Sequence, residues 1–243
     1  MQLWLCPIIA FLLGSIPFGL IIARMKGIDI RAHGSGNIGA TNVLRVVGKQ
    51  YGITCLILDL FKGYIPVVIA INLIQIEGKA IVPHLEFLDC CALQLSAEQQ
   101  FTGQLAQVIT ALCAVLGHNY SPWVGFKGGK GIATSGGVLL GLMPFAVLIL
   151  IILWLLIFFT TRYVSVASVG VAAALPLLTH LGARFHKNAD GISLWEAGTW
   201  NKPLFFFTAV IGLLAIWKHR SNLKRLREGT EHRFTPGKGK KSS

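Results

Sequence analysis

The sequence predicts an all-α integral membrane protein with about seven transmembrane helices, an outside N-terminus and a cytoplasmic C-terminus. Hydrophobic residues make up 53% of the 243 positions and charged residues only 13%, well below the roughly 25% of a soluble domain. Only helices or closed barrels satisfy their backbone hydrogen bonds in lipid, and six apolar runs reach or approach the roughly 20 residues of a spanning helix. These runs are residues 3–23, 53–76, 104–116, 138–159, 164–181 and 204–217.

The charged residues are distributed unevenly between the predicted loops. Residues 24–50 contain five Lys and Arg residues and one acid, whereas residues 77–102 contain one lysine and four acids. Basic loops of membrane proteins face the cytoplasm, so we expect the first loop inside and the second outside. The basic stretch after Lys218 is then also cytoplasmic, where it can touch anionic lipid. The net charge of +12 therefore reflects orientation, and we expect no nucleic-acid partner.

An outside N-terminus and an inside C-terminus require an odd number of crossings, although the apolar runs number six. Gly141 and Pro144 interrupt the run 138–159, and proline removes a helix hydrogen bond. We predict two short helices that meet near Met143, which gives seven helices in one membrane domain, residues 1–233. The composition of residues 234–243 predicts a disordered basic tail.

The first cytoplasmic loop contains a glycine-rich polar stretch, residues 34–45. Its glycines let the backbone turn N–H groups toward an anion, and Arg45 offers the planar fork that suits phosphate. A glycine-rich turn before a helix would give a similar pattern. The candidate phosphate ligands are Ser35, Gly36, Asn37, Thr41, Asn42 and Arg45.

A second glycine-rich stretch, residues 117–134, has two lysines at its centre. Such a chain can wrap closely round an oxyanion, and Thr134 could cap a helix whose N-terminus faces the same anion. A flexible basic loop placed by the positive-inside rule is the alternative. The candidate ligands are Lys127, Gly128, Gly129, Lys130, Gly131 and Thr134.

A third polar stretch, residues 218–231, follows the last apolar run. In a helix, His219 and Asn222 share one face and can point together into a site. We assign Arg220, Lys224 and Arg225 to a basic helix end instead.

Inside the second apolar run, Asp59 and Lys62 lie three residues apart, so we expect a structural ion pair or a supporting role.

Five segments together resemble the bacterial acyl-phosphate:glycerol-3-phosphate acyltransferases, the PlsY family. They are residues 14–19, 34–45, 59–63, 117–134 and 219–231. The resemblance implies a seven-helix enzyme of the bacterial cytoplasmic (inner) membrane whose active site faces the cytoplasm. It implies transfer of a fatty acyl group from acyl phosphate to the 1-hydroxyl of sn-glycerol 3-phosphate, giving lysophosphatidic acid and phosphate in the first step of phospholipid biosynthesis. The acidic stretch 77–100 is longer than the family leads us to expect.

The resemblance also implies roles for individual residues. We expect Ser35, Arg45, Lys130, His219 and Asn222 to act on the reacting groups, and Glu231 to support them by pairing with a neighbouring base. The expected partners are glycerol 3-phosphate, acyl phosphate and membrane lipids. An acyl phosphate is already activated, so positioning dominates the catalysis and we expect no metal or cofactor. Either His219 or a substrate phosphate, with a second pKa near 6, could take the proton.

Two other classes of function fit parts of the pattern. A transporter or channel for an organic phosphate also uses basic, glycine-rich breaks between helices, but the cations lie on one predicted face and no inverted repeat is visible. A membrane scaffold leaves the glycine-rich segments unexplained.

His84 and Asp89 match the HxxxxD pattern of another large class of glycerolipid acyltransferases. A pattern this short often arises by chance, and it falls in the loop predicted to lie outside. Replacing both residues with alanine should therefore change the acyl-transfer rate of the purified protein little. A dead double variant that is still folded and inserted in the membrane would show that this pair carries the chemistry.

Overall fold

The computed structural model describes residues 2–186 and 191–234. Within these ranges most of the chain is helical, as the sequence predicts. The helices are α1 (Gln2–Gly14), α2 (Phe18–Arg24), α3 (Ala40–Val46), α4 (Lys49–Leu73), α5 (Gln100–Asn119), α6 (Ile132–Leu142), α7 (Pro144–Thr161), α8 (Val164–Phe185), α9 (Lys202–Lys218) and α10 (Arg220–Arg227). Two short strands are β1 (Ile74–Ile76) and β2 (Leu93–Leu95).

Five segments within the described ranges are long and apolar enough to cross a membrane. They are Leu3–Arg24, Lys49–Leu73, Ala97–Val124, Pro144–Thr161 and Val164–Phe185. A sixth is the pair α9 and α10, which is bent by 48°. The shorter apolar helix α6 adds 11 residues, so the chain has the helices of a multi-pass membrane protein.

The interruption predicted within residues 138–159 is present. Helix α6 ends at Leu142, and α7 begins at Pro144, where the missing proline N–H costs no helix hydrogen bond. The expectation of two short helices is wrong for α7, because that helix continues to Thr161 and has 18 residues. Of these two helices only α6, with 11 residues, is too short to span the bilayer.

The loop after α4 departs from the all-helical prediction. Strands β1 and β2 pair in parallel, with Ile74 opposite Leu93. The buried side chain of Asn72 ties the following chain down, since it donates to the carbonyl of Pro83 at 3.0 Å and accepts from the N–H of Leu85 at 2.7 Å. The isoleucines of β1 are buried, and apolar β-branched residues suit a half-buried strand.

The first apolar run is also interrupted, at residues 15–17, which the sequence analysis did not predict. Lys62 donates to the freed carbonyl of Ile16 at 2.7 Å, and its ammonium lies 2.7 Å from the carboxylate of Asp59. Both side chains are buried, and His118 lies 3.7 Å from the same carboxylate. The predicted ion pair is therefore present, and it lies at the break between α1 and α2.

Helices α4 and α6 approach so closely that glycine is required at the contact. A Cβ on Gly137 of α6 would overlap the carbonyl oxygen of Leu60, and one on Gly63 of α4 would overlap that of Thr134. Small residues allow membrane helices to pack backbone against backbone. This contact fixes the start of α6, and hence the loop that precedes it, against α4.

Alanine at Gly137 should destabilise the protein, because the added methyl group forces the two helices apart. We expect a loss of about 1–3 kcal/mol, measured as a lower thermal unfolding temperature in detergent. Gly136→Ala is the matched control, since nothing lies within 4 Å of its Cβ position. Equal unfolding temperatures for the two variants would contradict the close-packed contact.

Candidate functional site

The loop before α3 is organised around the side chain of Asn42, which is 2% exposed. Its amide nitrogen lies within 3.2 Å of the carbonyl oxygens of Ile30, His33 and Asn37, and its oxygen accepts from the N–H of Ser35 at 2.9 Å. No donor of Asn42 is left for a phosphate. The predicted phosphate-binding role of Asn42 is therefore corrected to that of a scaffold for the loop.

Two other predicted ligands in this loop also have internal partners. The N–H of Gly36 donates to the carbonyl of His33 at 3.1 Å, and the side-chain oxygen of Asn37 accepts from the N–H of Gly39 at 2.9 Å. Within the described ranges, the Ser35 hydroxyl and the Arg45 guanidinium make no hydrogen bond, and Thr41 is exposed. In the described part of the chain, these three side chains and the amide nitrogen of Asn37 remain available to a ligand.

The second glycine-rich loop lies against the C-terminal end of α5. The N–H of Gly128 donates to the carbonyl of Asn119 and that of Gly129 to the carbonyl of His118, both at 3.2 Å. These amides satisfy helix-end carbonyls, so the prediction that they bind phosphate is wrong. Glycine is needed at position 129 because a Cβ there would overlap the His118 ring.

The start of α6 carries polar atoms without partners. Gly131, with a φ of +79°, is the N-cap of this helix, and Thr134 is fully buried in its first turn. The prediction that Thr134 caps the helix is therefore wrong. Asn119 is also fully buried, next to Gly131. In the described part of the chain, the Asn119 amide and the Thr134 hydroxyl have no hydrogen-bond partner.

Lys130, the last cation of this loop, reaches α10. Its ammonium donates to the side-chain oxygen of Asn222. The amide nitrogen of Asn222 in turn donates to the carboxylate of Glu231 at 2.6 Å. Asn222 is 7% exposed, so this chain of hydrogen bonds is largely shielded from water. It connects the second and third polar stretches predicted from the sequence.

Glu231 is held by two further donors. Ser165, at the start of α8, donates to it at 2.8 Å, and Arg225 of α10 donates at 2.9 Å. Burial opposes ionisation of this carboxyl, but the hydrogen bonds from Asn222, Ser165 and Arg225 outweigh burial and hold its pKa below the ordinary value. Glu231 therefore remains an anion and fixes the segment after α10.

The cations around Glu231 influence one another. Desolvation lowers the pKa of Lys130 to about 8, the charge of Glu231 opposes this shift, and the charges of Arg225 and Arg45 add to it. The charge of Arg45 thus acts on Lys130, which relates the first polar stretch to the other two through electrostatics. Three cations and one carboxylate leave a net charge of +2, which matches a phosphate dianion.

His219 is buried at the bend between α9 and α10. Its Nδ1 lies 2.8 Å from the carbonyl oxygen of Ala215, so in the neutral ring Nδ1 donates and Nε2 is the free acceptor. His219 and Asn222 are both buried on the inner side of this segment, as their predicted common face requires. Lys127, in contrast, is exposed.

Sequence reasoning missed two members of this cluster. Arg225 was assigned to the basic helix end, yet it pairs with Glu231; its position three residues after Asn222, on the same helix face, was the available signal. Ser165 had no local signal, because the contact with Glu231 spans 66 residues of sequence.

His84 and Asp89 form their own pair in the loop after α4, with Nε2 and Oδ1 2.9 Å apart and both side chains exposed. They follow the C-terminal end of α4. Arg45 precedes the N-terminal end of this 25-residue helix, which is about 37 Å long. The pair is therefore remote from the cation cluster, by which we mean Arg45, Lys130 and Arg225 around Glu231.

Comparisons with known proteins agree with one another. The family model described as glycerol-3-phosphate acyltransferase matches residues 4–229. The glycerol-3-phosphate acyltransferase of Geobacter sulfurreducens is 41% identical and that of Aquifex aeolicus 40% identical, each over 93% of this chain and 94% and 96% of the relative.

Two crystal structures of PlsY (YgiH), an integral membrane glycerol 3-phosphate acyltransferase, are also similar to this chain. The glycerol 3-phosphate form superposes with a TM-score of 0.74 and the lysophosphatidic acid form with 0.71. Both are 37% identical, over 97% of this chain and 96% of theirs.

Replacement of Asn42 by alanine should release the loop that it organises. The variant loses the bond from the Ser35 N–H and the bonds of the amide nitrogen, at about 1 kcal/mol for each full hydrogen bond, so we expect faster amide hydrogen exchange over residues 33–39. Thr41→Ala, an exposed neighbour, is the control and should leave exchange unchanged. Unchanged exchange in Asn42→Ala would show that the loop holds its shape by other means.

Proposed function

The chain belongs to the glycerol-3-phosphate acyltransferase family, and we propose that an acyl phosphate is the donor from which it transfers a fatty acyl group. It is an acyltransferase that converts glycerol 3-phosphate into lysophosphatidic acid. The 1-hydroxyl of sn-glycerol 3-phosphate is the proposed acceptor, and inorganic phosphate is the other proposed product. The transporter and scaffold alternatives are set aside because the family is enzymatic.

The observation that carries the proposal is the cation cluster of Arg45, Lys130 and Arg225 around Glu231. One carboxylate cannot neutralise three cations, so the site has an excess positive charge. Lys130 and Arg225 are partly buried, whereas Arg45 is exposed. Within the described ranges, the neighbouring loop keeps side-chain donors that have no hydrogen-bond partner on Ser35, Asn37, Thr41 and Arg45. The net charge of +2 matches one phosphate dianion, and the donors of the neighbouring loop are available to a second phosphate.

We infer that the acceptor hydroxyl attacks the acyl phosphate directly. The carbonyl of a mixed anhydride is already activated, and holding the two substrates in contact supplies most of the remaining acceleration. A covalent serine intermediate needs a serine, a base and a group that orients the base. The described residues show no hydrogen bond from the Ser35 hydroxyl to a base, so Ser35 is assigned to phosphate binding.

The proton of the attacking hydroxyl has two possible acceptors. The Nε2 of His219 is free of the backbone bond that holds Nδ1. The phosphate of the donor is the other, because its second pKa is near 6. We assign the proton to the substrate phosphate, with His219 and Asn222 orienting the substrates. Asn222 acts through Lys130 and Glu231, which its amide already binds.

The same reasoning gives an orientation in the membrane. The loops that carry Arg45, Lys130 and Asn222 are basic, and basic loops face the cytoplasm. We therefore place the active site on the cytoplasmic side of the bacterial inner membrane, with seven helices, an outside N-terminus and an inside C-terminus. The proposed reaction requires no metal or cofactor, because the donor carries its own activation.

The proposed activity is tested by phosphate release from palmitoyl phosphate, with and without glycerol 3-phosphate, by purified protein in detergent. Release should depend on glycerol 3-phosphate, and Arg45→Ala or Lys130→Ala should reduce it about a hundredfold or more, since each removes a charge from the site. Lys49→Ala, an exposed cation at the start of α4, should keep the wild-type rate.

Full activity of Arg45→Ala or Lys130→Ala would contradict the phosphate-binding assignment. Transfer from acyl-CoA or acyl carrier protein alone, with none from palmitoyl phosphate, would contradict the donor.

The pH dependence follows from Lys130, whose pKa is about 8. A lysine with a lowered pKa is charged below that value and loses its charge as the pH rises through it. We expect KM for glycerol 3-phosphate to increase roughly tenfold for each pH unit above about 8. This increase of KM with pH should disappear in an active Lys130→Arg variant, because arginine stays protonated. The same increase of KM with pH in both proteins would show that another group titrates.

A further inference from the structure

Helix α10 presents two different faces. Asn222 and Arg225 point inward to Lys130 and Glu231. Arg220, Lys224 and Arg227 are exposed and lie at i, i+4 and i+7, so they form a stripe on the opposite side of the helix. We call these three residues the outer stripe. The helix that carries a proposed site residue thus also carries an exposed row of cations.

The outer stripe continues the exposed side of α9. The large exposed side chains of α9 recur at helical spacing along one face, at Phe206, Val210, Leu213 and Trp217. Arg220 follows Trp217 by three residues, its guanidinium lies 4.1 Å from the indole ring centre, and it donates to the Trp217 carbonyl at 3.2 Å. Apolar side chains exposed on a spanning helix face lipid tails, so the cations that continue this row lie at the level of the headgroups.

These cations have little compensation within the protein. Among the described residues, the only acidic partner of the outer stripe is Glu228, which lies 3.8 Å from Lys224 in an exposed pair. Such pairs contribute little. A surface cavity of about 290 Å³ is lined by Arg220, Leu223, Lys224, Arg227 and Glu228. It combines an apolar wall with an excess of positive charge.

We propose that the outer stripe binds the headgroup phosphate of an anionic phospholipid, and that this contact holds α10 where Asn222 reaches Lys130. A lipid fits better than a soluble anion because the stripe is continuous with the lipid-facing row of α9. The activity of the enzyme would then depend on the anionic lipid content of its own membrane. The effect of anionic lipid on enzyme activity rests on the proposed function, whereas the binding of lipid to the outer stripe does not.

The proposal is tested first by activity in nanodiscs. Wild-type protein is compared in discs of phosphatidylcholine and in discs with 30% phosphatidylglycerol, and the transfer rate is measured at saturating palmitoyl phosphate. We expect the anionic discs to raise the wild-type rate about threefold or more. The variant Arg220→Gln/Lys224→Gln/Arg227→Gln should keep its basal rate in neutral discs and lose the response.

The matched control removes the same charge from other exposed cations on the proposed cytoplasmic side, as Lys26→Gln/Arg31→Gln/Lys49→Gln. It should respond to anionic lipid like the wild type. A wild type that does not respond, or a control that loses the response equally, would overturn the proposal. Absence of transfer in every disc would instead contradict the proposed function.

Hydrogen exchange of residues 220–228 provides a readout independent of activity. Anionic discs should slow exchange there in the wild type and in the control, but not in the outer-stripe variant. Millimolar inorganic phosphate added to neutral discs should give no protection. Equal protection by inorganic phosphate would show that a free anion is the ligand, and absence of protection by either would overturn the site.

Discussion

The site depends on one hydrogen-bonded chain, from Lys130 through Asn222 to Glu231. These residues come from the loop before α6, from α10 and from the segment that follows it. Without Asn222, the lysine has no partner on α10 and the carboxylate loses one of its donors. The geometry of the cation cluster therefore depends on where α10 sits, and α10 makes few other contacts with the helices around it.

The same hydrogen-bonded chain also reduces the repulsion among the cations of the site. Arg45, Lys130 and Arg225 repel one another, and desolvation adds to the cost of keeping Lys130 charged. Glu231 offsets part of this cost, and the hydrogen bonds from Asn222, Ser165 and Arg225 keep it ionised. A bound phosphate would supply the remaining negative charge, so a protein with this site is stabilised by the ligand that it is proposed to hold. Among the described residues, the Asn119 amide and the Thr134 hydroxyl have no hydrogen-bond partner, and functional regions carry local costs of this kind.

The sequence predicted the helical class, the break near Met143 and the three polar stretches, because hydropathy, proline and glycine are local signals. It also placed Asp59 with Lys62 correctly, since a spacing of three residues fixes neighbours in a helix. The sequence did not predict which N–H groups of the glycine-rich loops already have partners within the protein. Whether the amide of Gly128 or Gly129 is free depends on how closely α5 approaches, and only the folded chain decides that.

The same limit applies to the side chains that complete the site. Asn42 is a residue type that can bind phosphate, but its amide nitrogen is bound by three carbonyl oxygens of its own loop. Arg225 lies among basic residues typical of an exposed helix end, but its side chain pairs with Glu231. Ser165 reaches that carboxylate from α8. Each of these contacts depends on tertiary packing, which residue type and local spacing do not encode.

The most direct measurement is calorimetric titration of glycerol 3-phosphate into the purified protein and its Asn222→Ala variant. Ser221→Ala, an exposed neighbour on the same helix, is the control. If the chain through Asn222 positions Lys130, the affinity of Asn222→Ala should fall about tenfold or more, while that of Ser221→Ala stays at the wild-type value. Wild-type affinity in a folded Asn222→Ala protein would contradict the central role of this chain.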